Sequence, residues 1–422
     1  MEIRQISAEV LDNFVLNSKK PHFMQTSAWA DVCRKRNYIP HFLGFYEAEE
    51  LKGTALLLEK RVAVYSTYYC PRGFITDYGD RRVLRDMIAV LKDYVYRHNG
   101  LYFKIDPDII IRKLDENAQV KETDDYNLSL IDFLKENGGR HRGFTTRFTE
   151  SSAPRFTFRV DVSKDREAIF ENLHNTTRKI IKENNPYNVK IEKNTPDALD
   201  DFYKVMKETS FRKKLFVESY EYFRDFYEAL KARDEADIYT ACIDVKELKD
   251  IFSRRLLAVD EEKDNVLKRP EGPKRTNKLK DIEAKRNRIL RLKNEVDELN
   301  EDRIVLSSII TARFADKVWT IHGGNSDRLQ FLNANYELYY HILLDSKDNG
   351  YSCVDFYGSE GKVDRDSDIY GIYLFKLRFG GDFDEFIGEF DFITRPFMNS
   401  IIGTLLKIRR RIKYRQSLRG RQ

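Results

Sequence analysis

The segments VKELKDIFSRRLLAVDEEKDNV, Val245 to Val266, and DIEAKRNRILRLKNEVDEL, Asp281 to Leu299, are the most regular in the chain. Writing a at Val245, Phe252, Val259 and Val266 places Leu248 at the first d position, with Ile251 and Leu256 beside the seam. On the return leg Ile282, Ile289 and Val296 fall at a, and Leu292, Leu299 and Leu306 at d. Between the legs, Pro270-Glu271-Gly272-Pro273 cannot continue a helix, because proline lacks the N–H and glycine favours a turn. The spacing predicts an antiparallel coiled-coil hairpin over 246–306, with legs of roughly 25 residues and a length of roughly 35 Å. Arg255, Glu262, Lys285 and Arg303 interrupt the a and d positions, so the seam is thin. An arm this narrow has no core of its own, which points to a large partner or to a second copy of the chain.

On both sides of the arm, strand-like and helix-like segments alternate. His41–Tyr46 and Thr54–Lys60 read as strands, Arg81–His98 as an amphipathic helix stopped by Asn99-Gly100, and Leu101–Ile105 as a strand running into Asp106-Pro107. A similar cycle follows: strand Thr157–Val162, helix Lys164–Asn184, strand Val189–Glu192, helices Asp197–Thr209 and Tyr220–Lys231, and strand Asp237–Asp244. After the arm, strands resume near Ile309, at Lys317–His322 and at Ser352–Phe356, with a helix at Phe331–Asn349. The expected fold class is α/β (α+β), with two packed mixed domains. The first covers 1–155, the second 156–245 and 307–422, and the arm is inserted in the second.

The 422 residues are long enough for this plan, and 13% are aromatic. The net charge of +5 conceals a local run: Lys407, Arg409, Arg410, Arg411, Lys413, Arg415, Arg419 and Arg421 lie in a stretch with no acidic residue. Such a run points to phosphate, on nucleic acid or at a membrane surface, with a solvated helix end as the alternative. Met1-Glu2-Ile3-Arg4 does not open like a signal peptide, and no run of about 18 apolar residues is present. Cys33, Cys70, Cys242 and Cys353 form no CxxC pair, and the seven histidines show no ligand spacing. These features suggest a cytoplasmic chain, at the inner face of the membrane if the tail meets lipid, and neither a metal nor a cofactor is expected.

Several short segments are too particular for generic core. They are Gln25-Thr26-Ser27 before Trp29, with Thr26 or Ser27 as N-cap, Arg72-Gly73 after a strand, and Ile105-Asp106-Pro107 at a strand's carboxyl end. Gly323-Gly324, Phe356-Tyr357-Gly358 and the run from Tyr370 to Lys376 complete the set. In order and spacing, together with the hairpin, they resemble the FemABX family of non-ribosomal peptidyltransferases from Phe23 to about Tyr414. The arm makes the FemA and FemB branch the better match. The resemblance implies two domains related to the GNAT acyltransferase fold and a seryl-tRNA-synthetase-like arm. It also implies an aminoacyl-tRNA donor and a muramyl pentapeptide acceptor, lipid-linked or nucleotide-linked, joined to build an interpeptide bridge.

That reaction needs a neutral amine, a stabilised oxyanion and a proton for the departing ribose oxygen. The resemblance gives Lys376 the oxyanion-facing role, a surface lysine being the alternative, and Phe375 either positions the Lys376 backbone or fills core. Asp106 serves as general base or caps the turn before Pro107, with the cap favoured. Arg212 and Arg178 are candidates for the acceptor's diphosphate. Tyr220 or Tyr222 lies close by in sequence, and Arg72, Tyr370 and Tyr373 come from the motif elements. Cys33 stands where many relatives carry a substrate-binding lysine; Arg34, Lys35 and Arg36 follow it, and Lys35 is the candidate replacement. The thiol itself reads as a packing residue rather than a nucleophile. Two other classes stay open: an acyl-CoA-dependent GNAT-type N-acyltransferase, for which Arg378-Phe379-Gly380-Gly381 is the nearest but ill-fitting pyrophosphate loop, and an RNA-binding or scaffold protein whose arm dimerises.

Overall fold

A computed structural model of the chain describes residues 1–404 apart from 148, 149, 214, 215, 363 and 368. The basic run from Lys407 to Arg421 therefore lies outside the described residues. The chain begins β1 (Glu2–Gln5), α1 (Ala8–Leu16), α2 (Ser27–Lys35), β2 (Ile39–Glu47), β3 (Glu50–Val62), β4 (Tyr65–Cys70), α3 (Arg81–Arg97) and β5 (Gly100–Ile105). Next come β6 (Ile110–Leu114), β7 (Val120–Thr123), α4 (Asp125–Glu136), β8 (Gly139–His141), β9 (Phe156–Asp161), α5 (Arg166–Asn172), α6 (Asn175–Asn184) and β10 (Lys190–Lys193). Helices α7 (Ala198–Lys213) and α8 (Tyr220–Lys231) precede β11 (Ala236–Asp244), and α9 (Val245–Leu267) and α10 (Pro273–Asp297) form the arm. The chain continues β12 (Arg303–Phe314), β13 (Lys317–Asn325), α11 (Ala334–Asp348), β14 (Cys353–Asp355), α12 (Tyr370–Leu377), β15 (Asp382–Phe386) and β16 (Phe390–Ile393).

Two mixed sheets carry the fold. The first has seven strands in the order β1-β2-β3-β4-β5-β16-β8, and the second nine in the order β10-β11-β12-β13-β14-β9-β15-β6-β7. Sheet membership thus crosses the division expected at residue 155: β6 and β7 belong to the second sheet, while β16 lies between β5 and β8 in the first. Burial drives the exchange. Phe390 and Phe392 on β16 are fully buried, and the Phe392 ring stacks on Phe103 of β5 at 4.7 Å. Alternating Phe383 on β15 stacks on Phe158 of β9 at 4.3 Å, fastening the second sheet across the same chain segment.

Local signals account for most boundaries. Thr26 is the N-cap of α2, accepting from Trp29 N at 3.3 Å, and Asp80 caps α3. Asn99, in the left-handed region at φ 55°, ends α3 as its Asn-Gly signal predicts. Three expectations are corrected. The helix expected over 164–184 is two, because Leu173 turns extended (ψ 145°) to bury its side chain and His174 Nδ1 then accepts from Thr176 N at 3.1 Å. The helix expected from Phe331 starts at Ala334, after Asn333 adopts φ 46°. The return leg ends at Asp297, and Leu306 is a buried β12 strand residue rather than a seam position, since Arg303 already pairs with Asp244 of β11.

Every hydrophobic a residue named above is buried: Val245, Phe252, Val259, Val266, Ile282, Ile289 and Val296. The charged residues at d neutralise one another, because Glu262 pairs with Lys278 at 2.9 Å and with Lys285 at 3.0 Å across the seam. Arg255 lies 4.7 Å over the Tyr187 ring at the arm's base. The arm is a long connection between two neighbouring antiparallel strands, closed at its root by Val245 N donating to Asp302 O at 3.0 Å. No helix among the described residues is long and apolar enough to cross a membrane.

Candidate active site

Two cavities meet on β13. The larger, about 650 Å³, lies among α2, β4, β5 and α8 and is walled by Trp29, Cys33, Arg36, Tyr69, Lys104 and Tyr222. The smaller, about 510 Å³, lies among α7, β12, β13, α11 and α12, with Arg212, Ser308, Tyr339, Phe375 and Lys376 in its wall. Ile321, His322 and Tyr357 line both.

The smaller cavity depends on a close approach. A Cβ on Gly324 would come 2.9 Å from the Val205 carbonyl group of α7, so only glycine lets that helix pack on the strand. Thr209 then joins Asn325 at both ends, donating to its carbonyl at 3.0 Å and accepting from its N–H at 2.8 Å. Arg212 on the same helix is ion-paired with Asp327. Phe375 forms a wall against Tyr336 and Tyr339, at 4.9 and 4.8 Å between ring centroids.

Lys376 is 9% exposed and points its ammonium at the turn after β14. Nζ donates to the carbonyls of Phe356 (2.7 Å), Gly358 (2.6 Å) and Tyr357. Desolvation pushes its pKa down to about 7, and Asp355 opposes the fall. Only the ammonium form supplies three N–H groups to three carbonyls, so the geometry holds the cation. The lysine is therefore buried rather than on the surface, and its donors are directed at this turn. Tyr357, at φ 47°, is held from the other side by Asp355 Oδ1, which accepts from its N–H at 2.7 Å. Asp355 Oδ2 accepts from Arg159 at 3.1 Å, and Arg159 reaches Asp108 at 2.8 Å, so a buried charge network backs the turn.

Asp106 lies behind Tyr69, outside both cavity walls. Oδ1 accepts from Arg72 N at 2.7 Å and Oδ2 from Tyr69 Oη at 3.0 Å. Desolvation raises its pKa to about 6, against the nearby Arg72 charge. It fastens Arg72, at φ 59°, in the turn that Gln25 also braces by donating to Pro71 O at 2.5 Å. The Arg72 guanidinium donates to Pro154 O at 3.1 Å and lies 4.8 Å over Phe386, clamping the two sheets together.

The other candidates separate. Lys35 is exposed, whereas the next residue, Arg36, lines the larger cavity 4.6 Å over the Tyr222 ring and 3.5 Å from Glu218. Burial pushes the Cys33 thiol up to about 12, leaving an uncharged wall. Tyr222 faces the larger cavity, while Tyr220 packs on Tyr203 at 5.4 Å and lines neither. Arg178 is paired with Glu171 at 2.6 Å on an outer helix face. Tyr370 and Tyr373 sit on α12 beside a separate small pocket, with Tyr373 Oη donating to Glu116 O at 3.0 Å. Residue spacing gave no signal for His322, which shares the junction, or for Lys60 and Lys104, which come from β3 and β5. Strand alternation at Lys104-Ile105 was the available clue, since it points Lys104 away from the buried Ile105. Among the described residues no group of three or more His, Cys, Asp or Glu could hold a metal ion.

The two cavities thus share the β13 residues Ile321 and His322 and, from the turn after β14, Tyr357. The family model described as the FemAB family matches residues 6–407, and the chain belongs to this family. It is 25% identical over 432 residues to the Lipid II:glycine glycyltransferase of Staphylococcus haemolyticus (strain JCSC1435), covering 100% of both chains. It is likewise 25% identical over 399 residues to the Staphylococcus epidermidis (strain ATCC 12228 / FDA PCI 1200) protein of the same name, covering 93% of each. The crystal structure of FemX superposes with a TM-score of 0.76 at 23% identity, over 95% of this chain and 100% of that one.

Proposed function

We propose that this chain moves an aminoacyl group from aminoacyl-tRNA to the amine of a muramyl pentapeptide precursor, extending a peptidoglycan interpeptide bridge. The observation that carries the reading is the meeting of the two cavities at Ile321, His322 and Tyr357. The relatives' names favour a lipid-linked acceptor and make glycine the first donor to test.

In this reading the acceptor occupies the larger cavity, where Arg36 and Lys60 supply positive charge for a diphosphate and Tyr69, Tyr102 and Tyr222 supply flat contact. The donor ester occupies the smaller cavity. The arm supports that assignment, because β12 leaves it at Arg303 and reaches the smaller cavity at Ser307 and Ser308. The amine attacks the ester carbonyl, a C–N bond forms, the C–O bond to ribose breaks, and the amine's surplus proton ends on the departing ribose oxygen. Lys376 places a buried positive charge beside the carbon that turns tetrahedral, exchanging one backbone carbonyl for the oxyanion. Phe375 keeps water from that charge. The segment Arg378–Gly381 closes α12 rather than opening a helix, which disfavours the acyl-CoA alternative.

The test is transfer of labelled amino acid from charged tRNA to lipid-linked muramyl pentapeptide. RNase-sensitive label on the peptide is expected, glycine first. Absence of label with all twenty charged tRNAs and with both lipid-linked and nucleotide-linked acceptors would sink the reading, and calorimetric binding of CoA would replace it.

A further inference from the structure

We propose that His322 receives the acceptor's amine, accepting an N–H from it on the imidazole at the point where the two cavities meet. This deepens the transferase reading and rests on it for the identity of the acceptor. Of the three residues common to both cavities, Ile321 has an apolar side chain and Tyr357 carries a hydroxyl; His322 alone has a side-chain nitrogen.

The ring is fixed in place. It meets Phe223, Phe226 and Tyr222 of α8 edge to face, at 5.1, 5.3 and 5.8 Å between centroids. Nε2 lies 3.4 Å from Tyr222 Oη, and Nδ1 has no hydrogen-bond partner among the described residues. In the tautomer with the proton on Nε2, donated to Tyr222, the lone pair at Nδ1 is free to accept. Two features keep the ring uncharged at neutral pH. Desolvation pushes its pKa down to about 4, and the Arg36 guanidinium, which lies over the face of the same Tyr222, repels a second charge. A neutral acceptor orients an amine by one N–H and leaves the amine's own lone pair for attack. A packing histidine wedged under α8 is the competing account, and it requires no acceptor at Nδ1.

Full-length protein is tested as His322→Leu and His322→Gln, with melting temperature as the control for folding. Transfer by His322→Leu is expected to fall about tenfold or more in kcat with donor KM unchanged, and His322→Gln, which keeps a neutral acceptor, is expected to recover to within about threefold of wild type. Wild-type kcat in His322→Leu, or equal loss in both variants, overturns the proposal. A second measurement does not depend on turnover. In protein carrying ¹⁵N-labelled histidine, the signal absent from His322→Leu is followed as lipid-linked muramyl pentapeptide is added. A change in its Nδ1 shift with the free amine, and none with the N-acetylated acceptor, supports the proposal; no change with either overturns it. Transfer failing in the wild type while that shift persists refutes the donor assignment alone.

Discussion

Lys376 donates to the carbonyl of Tyr357, and Tyr357 is one of the residues that separate the two cavities. The cation therefore does two jobs at once: it sets the left-handed turn that presents the Tyr357 ring, and it brings charge to the smaller cavity. Replacing it with Met leaves three carbonyls without their donor. Lys376→Met is expected to lower kcat about 100-fold or more and to destabilise the fold by about 1–3 kcal/mol, read by transfer assay and by denaturant titration. Loss of stability without loss of rate would make the lysine a scaffold only.

The Lys376 pKa near 7 gives the rate a pH signature. In the proposed mechanism the working form is the ammonium, so deprotonation removes it, and kcat should decline as pH rises through about 7. Stability moves the other way: the unfolded chain keeps this proton up to about pH 10.5 and the folded one loses it near 7, so the group's own contribution becomes more favourable with rising pH in between. A flat kcat profile from pH 6 to 9 would contradict the assigned charge state.

Asp106 offers the opposite sign. Its folded pKa near 6 lies above its ordinary value of 3.8, so the folded state binds the proton more tightly and stability from this group erodes as pH climbs from about 4 to 6. Asp106→Asn should flatten that slope, by about 3 kcal/mol at most, while transfer stays within about fivefold of wild type. A loss of a thousandfold in rate would restore the general-base reading.

Arg36 and Lys35 are adjacent in sequence and differ in placement. Arg36→Ala should raise the acceptor KM about tenfold, through loss of a charge facing the larger cavity, whereas Lys35→Ala should stay within about twofold. Equal effects would mean that general surface charge, rather than the cavity, attracts the acceptor.

Asp244 and Arg303 pair directly across β11 and β12, so the arm can be replaced by a two-residue Asn-Gly turn without moving either strand. The shortened chain should fold with a melting temperature within several degrees of wild type. Transfer from full-length charged tRNA should drop more than transfer from a short aminoacylated RNA, compared in parallel assays. Equal activity on both would assign the arm to contacts with protein.

How much of this was legible in the sequence depends on the range of the interaction. The arm, the Thr26 cap and the Asn99 stop are written within a few residues of where they act, by heptads and turn chemistry. The exchange of β6, β7 and β16 was not, because strand pairing across some 280 residues leaves no local trace. The same holds at the site. Lys376 and Phe375 stood out as part of a motif, yet the commitment of Lys376 to three carbonyls depends on the fold of 356–358. His322 was invisible: a single histidine in an apolar strand reads as core until α8 and two cavities are placed around it.

Because β16 lies inside the first sheet rather than at its edge, that sheet is missing an interior strand until the chain has left the ribosome as far as Ile393. Domains usually fold from the N-terminus as synthesis proceeds. Here β5 and β8, both made before residue 142, meet only through Phe390–Ile393, so a chain stopped short of that segment leaves their facing edges without the strand that joins them.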